Sequence, residues 1–159
     1  MLHLADDVAL RPVPAHAGAP ARSAVLRDGA ETGAEVSGAV LEGAVAWNGC
    51  RVLFTTDGVP AEDFLHVTFL DERGRVCDRV EIGAPYTTGS FGDLELLPPD
   101  RVAFTFAAGD RWVVRLFDRP RLRLPLFGTP PGARRGWRWR RRFALRRVAS
   151  PEGPRREGA

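Results

Sequence analysis

Residues 41–56, LEGAVAWNGCRVLFTT, give the clearest indication of the fold. Apolar residues recur at every second position on both sides of Asn48-Gly49. This dipeptide favours the two-residue turn of a β-hairpin, because both of its residues tolerate a positive φ. We therefore predict a long strand over residues 36–47 and a return strand over residues 51–56.

The same period of two continues towards the carboxyl end, with turn-forming residues between the apolar runs. It predicts further strands over residues 64–70, 76–82, 94–97, 102–106, 112–117, 121–127 and 137–148. Because Pro125 has no N–H to donate to a ladder, we place its strand at a sheet edge or a bulge. Eight or nine strands joined by tight turns predict an all-β fold, an antiparallel meander that forms a sandwich or a small barrel.

The length of 159 residues favours one domain, which we place at residues 34–149. Residues 1–33 are rich in Ala, Gly and Pro and predict a flexible N-terminal segment. The polar residues 150–159 predict a disordered tail. The apolar residues that share a phase within the strands form the predicted core: Trp47, Phe54, Phe69, Val80, Phe104, Trp112 and Leu116.

The charge of the chain changes sign near Asp118. Residues 1–118 carry 10 Arg against 18 acids, a net −8, whereas residues 119–159 carry 13 Arg against two acids, a net +11. The basic end therefore either packs on the acidic body of its own chain or is offered to an anionic partner.

The basic end is densest at residues 137–147, WRWRRRFALRR. Read as a strand, it places Trp137, Trp139, Arg141, Phe143 and Leu145 on one face. That face is predicted to be core, with Arg141 paired to a buried acid. The opposite face is a basic stripe, which also includes the arginines of the preceding strand if the two strands are neighbours. The predicted partner-binding residues are Arg121, Arg123, Arg138, Arg140 and Arg142.

This stripe indicates a non-catalytic module that binds an acidic protein surface or a second copy of itself. Nucleic-acid binding through the arginines is the alternative, less favoured because the tryptophans that would stack on bases are assigned to the core.

Catalytic and metal-binding patterns are weak. All 23 basic residues are Arg, which excludes a Schiff-base or phosphate-loop lysine, and no nucleophile elbow is present. Cys50, His66 and Cys77 do not have the spacing of a compact zinc site, and His66 reads as a solvent-facing strand residue. The acids around residues 57–63 and 71–78 are those that turns require. We therefore predict no enzyme activity, no metal and no cofactor.

One loop is less routine, because it joins the only Tyr to several hydroxyl groups. It predicts a possible ligand loop formed by Tyr86, Thr88, Ser90 and Phe91. No run of roughly 18 apolar residues indicates a membrane span, and acids occupy the start of the chain where a signal peptide is basic. These features predict a cytoplasmic protein without membrane contact.

Residues 43–47, GAVAW, together with an Arg-bearing last strand, resemble lipocalin-like barrels, in which an early Gly-x-Trp packs beneath an Arg of the closing strand. The spacing here is Gly-x-x-x-Trp, and the resemblance covers only two strands. It implies a small-ligand-binding barrel as a further alternative.

Overall fold

The computed structural model describes residues 1–59, 62–83, 89–123 and 128–148. Strand is the only regular secondary structure within these ranges, and every strand pairing is antiparallel. The strands are β1 Leu2–Leu4, β2 Val8–Pro12, β3 Arg22–Arg27, β4 Ala30–Ser37, β5 Val40–Trp47, β6 Cys50–Thr56, β7 Leu65–Leu70, β8 Val76–Ile82, β9 Gly92–Leu97, β10 Arg101–Phe106, β11 Asp110–Leu122, β12 Ala133–Arg134 and β13 Arg140–Val148.

The strands form three sheets, and the predicted all-β antiparallel fold is confirmed. A six-stranded sheet has the order β1-β5-β6-β7-β8-β12, a four-stranded sheet the order β13-β11-β10-β9, and a three-stranded sheet the order β2-β3-β4. Within the described ranges none of them closes into a barrel, so the sandwich is the alternative that the structure adopts. The closed ligand-holding barrel implied by the lipocalin resemblance is therefore not found there. No helix in the same ranges has the length and apolarity to cross a membrane.

The central strands of the six-stranded sheet, β6 and β7, are buried on both faces. Val52 and Phe54 of β6 belong to the main core shared with the four-stranded sheet. Leu53, between them, belongs to a second core with Val25 and Val36 of the three-stranded sheet. Because successive strand residues point to opposite faces, this alternation places the six-stranded sheet in the middle of three layers.

The hairpin and the core agree with the prediction. Asn48 and Gly49 both have positive φ, 46° and 79°, and Trp47 pairs with Cys50 across the turn. All seven predicted core residues are buried. The long strand predicted over residues 36–47 is interrupted at Gly38, whose φ is 101° and where a Cβ would lie 2.9 Å from the Thr55 side chain.

The amino-terminal prediction was wrong. Where the sequence predicts a flexible segment over residues 1–33, the structure has β1, β2, β3 and the start of β4. These strands are short and half exposed, and only a few buried apolar residues, such as Val25, pack them against the core. Their Ala-, Gly- and Pro-rich composition therefore does not reveal them as strands. The predicted tail, residues 150–159, lies outside the described residues.

Candidate functional site

A buried carboxylate, Asp78 of β8, links the basic strand β13 to the six-stranded sheet. Asp78 is fully buried. Its two oxygens accept hydrogen bonds from Nη1 of Arg135, at 3.1 and 3.0 Å. One oxygen also accepts from the backbone N–H of Arg142 at 2.8 Å. Such a concentration of donors satisfies a buried charge and joins the four-stranded sheet to the six-stranded sheet.

Part of the basic end therefore packs on the acidic body of its own chain. Arg141 is buried, as predicted, and its Nη1 lies 3.7 Å from Asp78. Arg147 pairs with Asp110 at 2.6 Å. Burial lowers the pKa of Arg135, against the opposing effect of the Asp78 charge. Arg135 and Arg141 are therefore structural and are not available to a partner, whereas Arg147 is paired but 42% exposed.

The two tryptophans beside β13 are exposed, which corrects the prediction that they belong to the core. Trp137 has 70% of its surface exposed and Trp139 has 54%. The strand begins only at Arg140, so the inward phase that holds for Arg141 and Phe143 does not extend back to the tryptophans. Their rings contact each other edge to face, with centroids 6.3 Å apart and planes at 86°.

An open groove of about 820 Å³ lies along these rings. We call it the Trp–Arg groove and define it by Trp137, Arg138, Trp139 and Arg140, together with Arg75, Arg142 and Asp71, which also line it. Asp71 is already bound to Arg75 at 2.8 Å and accepts the backbone N–H groups of its own turn. Four guanidinium groups thus face one carboxylate that is already paired.

The predicted basic stripe is brought together in part. In the described residues, Arg121, Arg123, Arg138 and Arg140 form no salt bridge, and all four are exposed. Arg121 and Leu122 extend β11, where Leu122 pairs with Arg140. The backbone N–H of Arg123 donates to Trp139. The last two long strands are therefore neighbours, as the stripe required.

Arg142 differs from the other residues of the stripe, because it is half-buried. Its guanidinium lies 4.6 Å from the centroid of the Phe69 ring. Nη2 lies 3.7 Å from Sγ of Cys50. Arg142 therefore forms the inner wall of the Trp–Arg groove, whereas Arg138 and Arg140 form its accessible rim. Arg138 is held there by a hydrogen bond from Nη1 to the Cys77 carbonyl at 3.2 Å.

Both cysteines are free thiols: Cys50 is buried beside Arg142, whereas Cys77 is half-buried and lines the Trp–Arg groove. Burial raises the pKa of Cys50, and the nearby Arg142 opposes this only in part. Burial also raises the pKa of Cys77. Since the thiolate is the reactive form, neither environment activates a nucleophile.

The possible ligand loop is only partly described. Tyr86 and Thr88 lie outside the described residues. Ser90 is exposed, but Phe91 packs on the core, with its ring centroid 5.5 Å from that of Phe54 and 5.6 Å from that of Phe104. Phe91 therefore fills space between the six-stranded and the four-stranded sheet.

His66 is buried rather than solvent-facing, because the second face of β7 is also covered. Its Nε2 lies 2.9 Å from Oδ1 of Asp57, and its Nδ1 lies 3.6 Å from Glu81. A carboxylate therefore lies near each ring nitrogen. No cluster of three or more His, Cys, Asp or Glu side chains suited to a metal ion occurs in the described part of the chain.

Comparison with known proteins does not add to this geometry. No protein-family model, curated protein or solved structure matches the chain.

Proposed function

We propose that this chain is a non-catalytic binding module that takes an anionic macromolecule into the Trp–Arg groove. The observation that carries the proposal is the exposure of Trp137 and Trp139 between arginines that have no carboxylate partner in the described residues. Trp and Arg are the side chains that contribute most to binding energy at interfaces. Exposed indole rings cost hydrophobic free energy in the unbound protein, and a partner that covers them recovers it.

Two further observations support a binding role. Burial raises the pKa of both the Cys50 and the Cys77 thiol, so neither is activated as a nucleophile, and a carboxylate lies near each ring nitrogen of His66. Free cysteines also suit the reducing cytoplasm, which we propose as the location of the protein.

The proposal is tested by removing two charges from the groove and two from elsewhere. Arg138→Ser with Arg140→Ser is the groove variant. Arg11→Ser with Arg22→Ser is its control, because these side chains are 55% and 57% exposed on the three-stranded sheet and the change in net charge is identical.

Binding of heparin and of polyglutamate is measured at several salt concentrations. The groove variant is expected to bind at least about tenfold more weakly, and the slope of log affinity against log salt is expected to fall by about two. The control is expected to stay close to the unmodified chain. Equal losses in the two variants would show attraction by net charge alone and would contradict the proposal.

A further inference from the structure

We infer that the anionic partner of the Trp–Arg groove is a single-stranded nucleic acid whose bases stack on Trp137 and Trp139. This inference rests on the proposed function and names its partner class. It is the reverse of the preference drawn from the sequence, which depended on placing both tryptophans in the core.

The composition of the groove favours bases over carboxylates. An acidic peptide would satisfy Arg138 and Arg140 but would leave two indole rings, 70% and 54% exposed, without a matching surface. A nucleotide carries both chemistries, a phosphate for the guanidinium group and a flat aromatic base for the ring. The order Trp-Arg-Trp-Arg over residues 137–140 repeats this pair twice in succession.

The geometry of the ring pair favours a single strand over a duplex. The ring planes stand at 86° to each other, so two bases stacked on them cannot be parallel. The centroid separation of 6.3 Å is also nearly twice the rise of about 3.4 Å between stacked bases of B-form DNA. Only a strand whose bases are unstacked and splayed can use both rings.

The phosphate contacts fall to the accessible rim. Arg138 uses one Nη1–H to hold the Cys77 carbonyl, and its planar fork keeps other N–H donors for a phosphate. Arg140 is exposed at the first position of β13, beside Trp139. Stacking and phosphate contacts carry little sequence information, so we expect weak dependence on base sequence.

The experiment is a fluorescence titration of the full chain at about 150 mM salt. The probes are oligothymidylate and oligouridylate of about twelve nucleotides, a duplex of equal length, heparin and polyglutamate. Trp47 and Trp112 are buried and supply a constant background, so quenching reports on Trp137 and Trp139. We expect quenching by both single strands and at least about tenfold weaker binding of the duplex.

Three variants assign the effect to stacking. Trp137→Ala and Trp139→Ala should each weaken single-strand binding by about fivefold to a hundredfold. Trp139→Phe should restore part of it, because Phe keeps an aromatic face. Leu122→Ala is the matched control, because Leu122 is a 78% exposed apolar side chain at the strand position opposite Arg140. This variant should bind single strands as tightly as the unmodified chain.

The outcomes separate this inference from the proposed function. In one outcome, heparin or polyglutamate binds in a way that depends on Arg138 and Arg140, single strands bind no better, and Trp137→Ala does not change single-strand binding. This outcome would overturn the nucleic-acid inference and keep the binding module. Polyglutamate binding that quenches tryptophan and is lost in Trp139→Ala would identify an acidic protein partner instead. If binding of every probe were independent of Arg138 and Arg140, both the nucleic-acid inference and the proposed binding module would be overturned.

Discussion

At the scale of single residues, Asp78 shows what periodicity can and cannot predict. The alternation of Arg141 with Phe143 and Leu145 predicts that Arg141 is buried and paired with an acid, and both are observed. The identity of the acid could not be predicted, because the pairing joins two sheets and no local pattern links β13 to β8. Arg135, which makes the closer contact with Asp78, lies outside the predicted strands, and nothing in its surroundings marks it as buried.

We expect Asp78→Asn to destabilise the protein by about 3–5 kcal/mol, because it leaves Arg135 and Arg141 buried without a counter-charge. The free energy of unfolding is measured in urea. Asp110→Asn is the control: it removes the partner of another arginine at the basic end, Arg147, but that arginine is 42% exposed. Its cost should stay below about 1 kcal/mol. If the two substitutions lowered the free energy of unfolding by similar amounts, burial would not be what determines the contribution of Asp78 to stability.

Among the elements, β13 shows why the ends of a strand cannot be predicted from the sequence alone. Its inward phase is predicted correctly from Arg141 to Leu145, but Trp137 and Trp139 continue the same alternation in sequence and not in structure. The start of a strand depends on where its partner ends, and β11 ends at Leu122, opposite Arg140. The candidate site therefore lies just beyond the predicted face, where a local pattern cannot distinguish core from surface.

The three-stranded sheet is fixed to the six-stranded sheet partly by Asp7, which precedes β2. Its carboxylate accepts two hydrogen bonds from Arg51, at 3.0 and 2.7 Å, and one from Arg27 at 3.1 Å. The hydrogen bonds from Arg51, with a smaller contribution from Arg27, hold the pKa of Asp7 below its ordinary value of 3.8, although burial acts in the opposite direction. The folded state therefore favours the ionised form of Asp7.

This depressed pKa sets the direction of a pH effect. The stabilisation by Asp7 should be fully present above its unfolded pKa of 3.8 and should be lost as the pH falls through the lower folded pKa. At pH 7 we expect Asp7→Asn to cost about 1.5–3 kcal/mol in urea unfolding. The difference from the unmodified chain should shrink progressively below about pH 4. Asp6→Asn, at the exposed neighbouring position, is the control and should show little effect at either pH. A difference that stays constant with pH would contradict the assignment.

At the scale of the whole molecule, the third layer is the part of the fold that the sequence concealed. The strands of the central sheet are predicted correctly. However, a strand whose polar face is covered by a thin third layer has nearly the same alternating sequence as a strand whose polar face meets solvent. His66 and Thr68 of β7 look like solvent-facing residues and are buried. The covering strands β2, β3 and β4 contribute few large apolar residues, so their composition resembles that of a linker.

Deleting residues 1–32 tests whether this layer is needed for stability. The shortened chain loses β1, β2, β3 and the start of β4, and it uncovers Leu53 and Leu70, which are 0% and 2% exposed in the full chain. Each such side chain contributes about 1.5–3 kcal/mol when buried, and Arg51 also loses Asp7, so the melting temperature should fall by roughly 10 °C or more. A chain without residues 150–159 is the control, because the polar composition of that segment predicts no contribution to packing. Thermal unfolding followed by circular dichroism measures both. If the chain without residues 1–32 melted within a few degrees of the full chain, the three-stranded sheet would contribute little to stability. The N-terminal residues would then behave as the flexible segment that their composition predicts.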